Sequence, residues 1–274
     1  MKTKPAKRKA FRTTILCGIT LVCAVSYYSY AARVYDSHEF KNPAGANTHL
    51  FEKHKYTYDI FSLPSRMTYY LLPPDPVLPD VQYPLLVVLH GGTGKSYAAG
   101  FMAENYYKNR YPGYVLVPVA PVNHVWGDPY ADIKPYKNAL PYVADLVKIV
   151  SNSHPIDKGR VYVLGCSMGG GGSIVASLFY QDTFAAAVAL GSYFVPRYLP
   201  KTFDTPLVII HGAQDEDAPV ESIRKTANII KNAGAPVYYS EMTDRGHNCP
   251  AREFYPEGMW DWLYSQTKPR LRAQ

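Results

Sequence analysis

The central part of this chain lacks the positive charge that the whole sequence suggests. The net charge of the 274 residues is +7, and a strong positive charge is typical of proteins that bind nucleic acid. Nine cations, however, lie in residues 1–12 and 268–274, which contain no acid, and without them residues 13–267 carry −2. A nearly neutral body excludes nucleic acid as a partner, and residues 268–274 are a short basic tail.

The sequence also lacks internal repeats and low-complexity tracts. Charged residues make up only 19% of the chain, against 47% hydrophobic and 14% aromatic residues. This composition is typical of folded globular proteins and argues against extended disorder. Because 274 residues suit one large domain and are too few for two, we expect a single folded domain over residues 56–267.

The first 32 residues have the layout of an export signal. Cations in residues 1–12 precede an apolar run from Ile15 to Val25, and small residues that follow it permit cleavage after Ala31. Without cleavage, Thr13 to Ala32 is long enough to anchor the chain in a bilayer. Residues 1–32 therefore predict a signal peptide or a signal anchor, and a protein that is periplasmic, secreted or tethered to a membrane.

Residues 33–55 are polar and aperiodic, which predicts a linker or a loosely packed arm. Beyond them, two β-like runs flank the turn residues Pro64 and Ser65, and short apolar runs then alternate with longer stretches of helical spacing. The predicted strands are Tyr56–Phe61, Met67–Leu72, Leu85–His90, Tyr114–Val119, Val161–Gly165, Ala185–Leu190, Leu207–His211 and Val237–Glu241, and the predicted helices are Ala139–Val150, Met168–Tyr180, Val220–Ala233 and Phe254–Ser265. This order predicts the α/β class, with a mostly parallel central sheet and helices on both faces.

Residues capable of chemistry follow four of the predicted strands, where an open α/β sheet binds its ligands. One of these segments, Gly165-Cys166-Ser167-Met168-Gly169, matches the pattern Gly-x-Ser-x-Gly between a strand and a helix. Such a turn lifts a serine hydroxyl above the sheet at a helix N-terminus. Ser167 is therefore the predicted nucleophile, and the alternative is an ordinary glycine-rich turn.

A serine nucleophile needs a base, and the base needs a carboxylate that orients its ring. Asp215 lies 48 residues after Ser167, directly after a predicted strand, and His247 lies 32 residues after Asp215, past the next strand. This is the chain order that the strand–turn–helix pattern predicts. We assign Asp215 as the acid and His247 as the base, with Asp217 and Asp244 as alternative acids.

Acyl transfer also needs hydrogen-bond donors for the developing oxyanion. The backbone N–H of Met168 is the expected first donor, and the loop Gly91–Gly94 is expected to supply the second, with Gly92 favoured over Thr93. The same loop ends in Gly-Lys-Ser and resembles a phosphate-binding P-loop, but Leu89 stands where that motif requires glycine. A nucleotide hydrolase is therefore only a remote alternative.

The chain lacks an insertion large enough for a cap domain, since only Gly191 to Asp204 separate two predicted strands. An open site is therefore expected, which is compatible with small or polymeric substrates. Trp126 and Tyr193 lie in aromatic connections that could line the site, and Thr93 completes the predicted substrate-binding residues. Exposed aromatic surface is the plain alternative.

These motifs resemble the α/β-hydrolase carboxylesterases, in particular the predicted-esterase and dienelactone-hydrolase-like branch. The matching stretches are Tyr83–Gly92, Arg160–Gly170, His211–Asp215 and Gly246-His247, within about residues 56–266. The resemblance implies an α/β-hydrolase fold and a Ser-His-Asp hydrolase that cleaves carboxylic esters through an acyl-enzyme, without cofactor or metal. The elbow also resembles that of cutinase-like polyester hydrolases.

Two alternatives to an esterase remain. The catalytic domain of prolyl-oligopeptidase-type enzymes is similar as well, so a small serine peptidase is the main one. A noncatalytic binding module on the same fold is remote, because no member of the predicted triad is missing.

Cysteine is scarce, with four residues in all. Cys17 and Cys23 lie in the leader, where lipid attachment is a less favoured alternative to a plain signal. Cys166 and Cys249 flank the predicted nucleophile and base, and in an exported protein they are a possible disulfide. Tannases and fungal feruloyl esterases are similar in this respect. Two reduced thiols are slightly favoured here, because disulfide geometry is strict.

Overall fold

The computed structural model describes residues 48–60, 63–121, 124–127, 137–192, 194, 196 and 199–268. The predicted leader and most of the predicted linker therefore lie outside the described residues. Within the described ranges, no helix is long and apolar enough to cross a membrane.

One eight-stranded sheet forms the centre of the fold. Its strands are β1 (Glu52–Ile60), β2 (Leu63–Leu72), β3 (Tyr83–Leu89), β4 (Tyr114–Pro118), β5 (Ile156–Cys166), β6 (Ala186–Leu190), β7 (Leu207–Gly212) and β8 (Val237–Met242). They lie in the order β1-β2-β4-β3-β5-β6-β7-β8. The β1–β2 and β2–β4 pairs are antiparallel and all the others are parallel. The predicted mostly parallel α/β sheet is confirmed.

Six helices accompany the sheet in the described part of the chain: α1 (Tyr97–Met102), α2 (Asn105–Arg110), α3 (Leu140–Ser153), α4 (Met168–Phe179), α5 (Val220–Asn232) and α6 (Glu257–Ser265). Apolar residues of α3, α4 and α5 pack on one face of the sheet, and those of α1, α2 and α6 pack on the other. Because both faces are covered, every residue of β3, β4, β6 and β7 is buried.

The structure corrects several predicted boundaries. Strand β1 begins at Glu52, inside the predicted linker, and the predicted turn residues Pro64 and Ser65 lie in strand β2. Helix α6 begins at Glu257, because the predicted start at Phe254 belongs to a 3₁₀ turn. The short helices α1 and α2 were not predicted, since six residues are too few to display a helical period.

Candidate active site

Ser167 lies in a strained turn between β5 and α4. Its backbone has φ 59° and ψ −122°, a positive φ that costs a non-glycine residue about 1–3 kcal/mol. The turn requires glycine on both sides, because a Cβ at Gly165 would overlap the carbonyl of Gly169, and a Cβ at Gly169 would overlap that of Leu89. The partly buried serine is thereby held at the N-terminus of α4.

Asp215 and His247 form a hydrogen-bonded pair at the ends of β7 and β8. The Nδ1 atom of His247 lies 2.8 Å from Oδ2 of Asp215, whose side chain is fully buried. The other carboxylate oxygen of Asp215 accepts a hydrogen bond of 2.7 Å from the Ala218 N–H. Because Nδ1 donates to the carboxylate, the neutral ring keeps Nε2 unprotonated as a base. The alternative acids Asp217 and Asp244 are exposed.

A second histidine braces the turn that carries Asp215. His211 is fully buried, its Nε2–H donates to the Ala218 carbonyl at 2.8 Å, and the same nitrogen lies 3.5 Å from Oδ2 of Asp215. Burial lowers the pKa of His211 below its ordinary value of 6.5. The neutral ring therefore holds the turn that carries Asp215. Because it has no positive charge, it does not pair with the Asp215 carboxylate in place of His247.

Cys166 and Cys249 are joined by a disulfide, with their Cα atoms 5.9 Å apart. The structure thus has the bridge, and the expectation of two reduced thiols is wrong. A Cβ at Gly191 would lie 3.5 Å from Cys166 Sγ and 3.6 Å from Nδ1 and Cε1 of His247. The elbow of Ser167 and the ring of His247 therefore meet in one small region around Gly191.

The loop after β3 passes beside the nucleophile. A Cβ at Gly91 would lie 3.5 Å from Ser167 Cβ and 3.5 Å from the Cys166 carbonyl. Gly92 and Thr93 follow in the same loop and are exposed. Met168 is the first residue of α4, where a backbone N–H has no partner within the helix. The two predicted oxyanion donors thus lie on the two segments that adjoin Ser167.

Trp126 is a buried residue and does not line a pocket, which corrects its predicted role. Its side chain is 1% exposed, and its Nε1–H donates to the His90 carbonyl at 2.8 Å. It turns inward because Gly172 of α4 leaves room for it, as a Cβ at Gly172 would overlap the Trp126 Cβ. Tyr193, the other predicted aromatic wall, lies outside the described residues.

His90 is the residue whose importance the sequence underestimates. A histidine next to a glycine at a strand end is typical of a turn brace. Here Nδ1 bonds to the Gly91 carbonyl in the loop beside Ser167, and Nε2 accepts a hydrogen bond from the Ala120 N–H just after β4. The signal available from the sequence was its position at the end of the first buried parallel strand.

A polar cavity of about 460 Å³ that includes Ser151 and His154 lies at the amino ends of the strands, away from this site.

Comparisons of sequence point to one family. The pattern of a family described as phospholipase/carboxylesterase matches residues 80–256, which is more than half of the chain. A protein of Oryza sativa subsp. japonica described as a probable carboxylesterase is 26% identical over an alignment of 130 residues, and the match covers 42% of this chain and 49% of that protein. The chain thus spans about half the length of the curated relative that it matches.

Comparisons of structure agree on the fold. A thermostable esterase superposes with a TM-score of 0.67 at 24% identity, over 81% of this chain and 64% of its own. For esterase 2 of Thermogutta terrifontis the TM-score is 0.60 at 16% identity, over 82% of this chain and 97% of the esterase. For the acylaminoacyl peptidase of Pyrococcus horikoshii the TM-score is 0.57 at 16% identity, over 82% of this chain and 43% of the peptidase. These likenesses confirm the predicted α/β-hydrolase fold.

Proposed function

The chain belongs to the phospholipase/carboxylesterase family, and we propose that it cleaves carboxylic esters through an acyl-enzyme formed on Ser167. The observation that carries this proposal is the 2.8 Å hydrogen bond between His247 and a fully buried Asp215. A buried carboxylate that holds a partly buried imidazole beside a strained serine elbow is the arrangement that activates a hydroxyl.

The first half of the reaction forms the acyl-enzyme. Nε2 of His247 takes the proton from Ser167 Oγ as that oxygen attacks the ester carbonyl carbon. The carbonyl oxygen becomes an oxyanion, which accepts hydrogen bonds from the N–H groups of Met168 and Gly92. As the tetrahedral intermediate collapses, the carbon–oxygen bond to the alcohol breaks, and His247 Nε2–H delivers its proton to the leaving oxygen.

The second half repeats these steps with water as the nucleophile. His247 Nε2 takes a proton from water, the hydroxide oxygen attacks the acyl carbon, and the bond to Ser167 Oγ breaks as the proton returns to it. Asp215 remains ionised throughout and stabilises the imidazolium that forms twice. The products are a carboxylic acid and an alcohol, and the enzyme regains its starting state.

Hydrolysis of p-nitrophenyl esters with short and long acyl chains, beside a peptide anilide, tests this proposal. We expect turnover of at least one ester, and a loss of about 10³-fold or more in kcat for Ser167→Ala. The matched control is Ser177→Ala, which removes a serine of the same helix whose hydroxyl bonds to the Ile174 carbonyl. Turnover that survives in Ser167→Ala would refute the proposal, and turnover of the anilide alone would favour a peptidase.

We further propose that the substrate is a small-molecule or polymeric ester that the chain meets after export. The Cys166–Cys249 disulfide supports export, because disulfides persist in oxidising compartments. Mass spectrometry of the protein recovered from the periplasm or the medium tests this, since cleavage after Ala31 gives a defined mass. Recovery of the chain only from the cytoplasm, with both thiols free, would contradict it.

A further inference from the structure

The imidazole of His90 bridges two loops with both of its nitrogens. The Ala120 N–H donates to Nε2 at 2.9 Å, and Nδ1 lies 2.7 Å from the Gly91 carbonyl oxygen. Because Nε2 accepts a hydrogen bond, the proton of the neutral ring is on Nδ1, and Nδ1–H donates to the Gly91 oxygen. The ring is therefore fixed in one tautomer, with a donor that faces the glycine loop.

The carbonyl that His90 holds belongs to the same peptide unit as the Gly92 N–H. This unit is planar and trans, so its C=O and N–H bonds point in opposite directions. A hydrogen bond that holds the Gly91 oxygen toward the buried ring therefore directs the Gly92 N–H away from it. Gly92 is exposed, and Gly91 lies beside Ser167 Cβ, so the N–H is directed to the open side of the loop.

We propose that His90 is a positioning residue that aims the Gly92 N–H at the oxyanion, an inference that rests on the proposed function. Glycine peptides rotate easily, and a donor must have the right direction before the reaction to stabilise the transition state. The Gly91 oxygen also accepts the Gly94 N–H at 3.0 Å, which closes the loop. The bond from Gly94 fixes the ends of the turn. The bond from the imidazole of His90 fixes the orientation of the Gly91–Gly92 peptide unit.

Trp126 contacts both the backbone and the ring of His90. Its Nε1–H donates to the His90 carbonyl, and the two rings meet edge to face with centroids 4.8 Å apart. The backbone of His90 is thus fixed by Trp126, and its ring by the N–H of Ala120, just after β4. The donor to Gly91 is supported by groups that are themselves buried, which is what precise positioning requires.

Two variants separate aiming of the donor from bracing of the fold. In His90→Asn the amide nitrogen can occupy the place of Nδ1 and donate to the Gly91 oxygen, but the side chain cannot reach Ala120. In His90→Gln the longer amide can accept from Ala120, but it lacks the donor to Gly91. We expect His90→Asn to keep kcat within a few-fold, and His90→Gln to lose about 10- to 100-fold in kcat with KM little changed.

Three further measurements complete the test. Titration with a fluorophosphonate gives the fraction of intact sites, so that kcat is compared per folded molecule. The inhibition constant of a trifluoromethyl ketone, which forms a tetrahedral adduct, should rise in His90→Gln by the same factor as kcat/KM falls. In the wild type, ¹⁵N NMR should give a protonated Nδ1 and an unprotonated Nε2 for His90.

Equal losses in the two variants, or a greater loss in His90→Asn, would overturn the proposal, as would a His90 ring protonated on Nε2. These outcomes are distinct from failure of the proposed function. The proposed function would fail if turnover did not depend on Ser167. The positioning role would fail if the wild type hydrolysed esters through Ser167 but the two His90 variants did not differ in kcat as expected.

Discussion

Removal of the Cys166–Cys249 disulfide is expected to lower both the stability and the turnover of this protein. The bond closes a loop between residues 83 positions apart, and the chain-entropy relation for a loop of that length gives about 4.5 kcal/mol of stabilisation. For a domain of this size, each kcal/mol shifts Tm by about 2–4 °C. We therefore expect Tm to fall by about 9–18 °C when the bond is broken.

The effect on turnover follows from where the two cysteines lie. Cys166 precedes the nucleophile directly, and Cys249 lies two residues after the base, so the bond limits how far Ser167 and His247 can move apart. A displacement of 1 Å in such a site can reduce the rate by about 10²-fold. At a temperature well below Tm, we expect kcat to fall by about 10-fold or more.

The assay compares three samples: the oxidised wild type, the wild type reduced with a phosphine, and the double variant Cys166→Ala/Cys249→Ala. Thermal unfolding by calorimetry gives Tm, and p-nitrophenyl ester hydrolysis gives kcat. Agreement between the reduced protein and the double variant assigns the effect to the bond rather than to the lost sulfur atoms. An unchanged Tm would refute the stabilising role, and a lower Tm with an unchanged kcat would refute the link between the bond and the geometry of the site.

Three other predictions follow from the site. Asp215→Asn should lower kcat by about 10⁴-fold while the fold is kept, because the amide favours the wrong tautomer of the base, whereas the exposed control Asp217→Asn should match the wild type in the same ester assay. Trp126→Phe should lower the free energy of unfolding by about 1–3 kcal/mol and should also lower kcat, because it removes the donor to the His90 carbonyl; a change confined to KM would restore Trp126 as a pocket wall. Burial lowers the folded-state pKa of His211, so the contribution of this residue to stability is complete above about pH 6.5 and is lost as pH falls through the folded-state pKa. In denaturant unfolding of His211→Gln, the free energy of unfolding should therefore decline less steeply with falling pH below about 6.5 than in the wild type. An unchanged slope would contradict this.

The sequence is sufficient for the parts of the site that depend on local chemistry. The turn at Ser167 needs glycine at 165 and 169 for steric reasons that act within the turn, so it can be recognised from five residues. The strands that precede Asp215 and His247 are short apolar or aromatic runs of the kind that periodicity detects. The positions of these residues follow from the rule that parallel strands end at the same edge.

Tertiary packing decides the parts that the sequence could not predict. Trp126 turns inward because Gly172, on a helix distant in sequence, leaves room for its Cβ. The two nitrogens of His90 find partners on different loops, which no local pattern records. The disulfide needed two Cα atoms within bridging distance, and residue spacing alone could not establish that.

The disulfide also ties the geometry of the site to the redox state of its surroundings. Cys249 is synthesised 83 residues after Cys166, and the bond persists only where thiols are oxidised. A newly made chain in a reducing compartment has its nucleophile and its base without the covalent link between them. If the chain is exported as proposed, this would amount to partial latency: the turnover that depends on the bond would be gained only after export, and the enzyme would be less active in the compartment in which it is made.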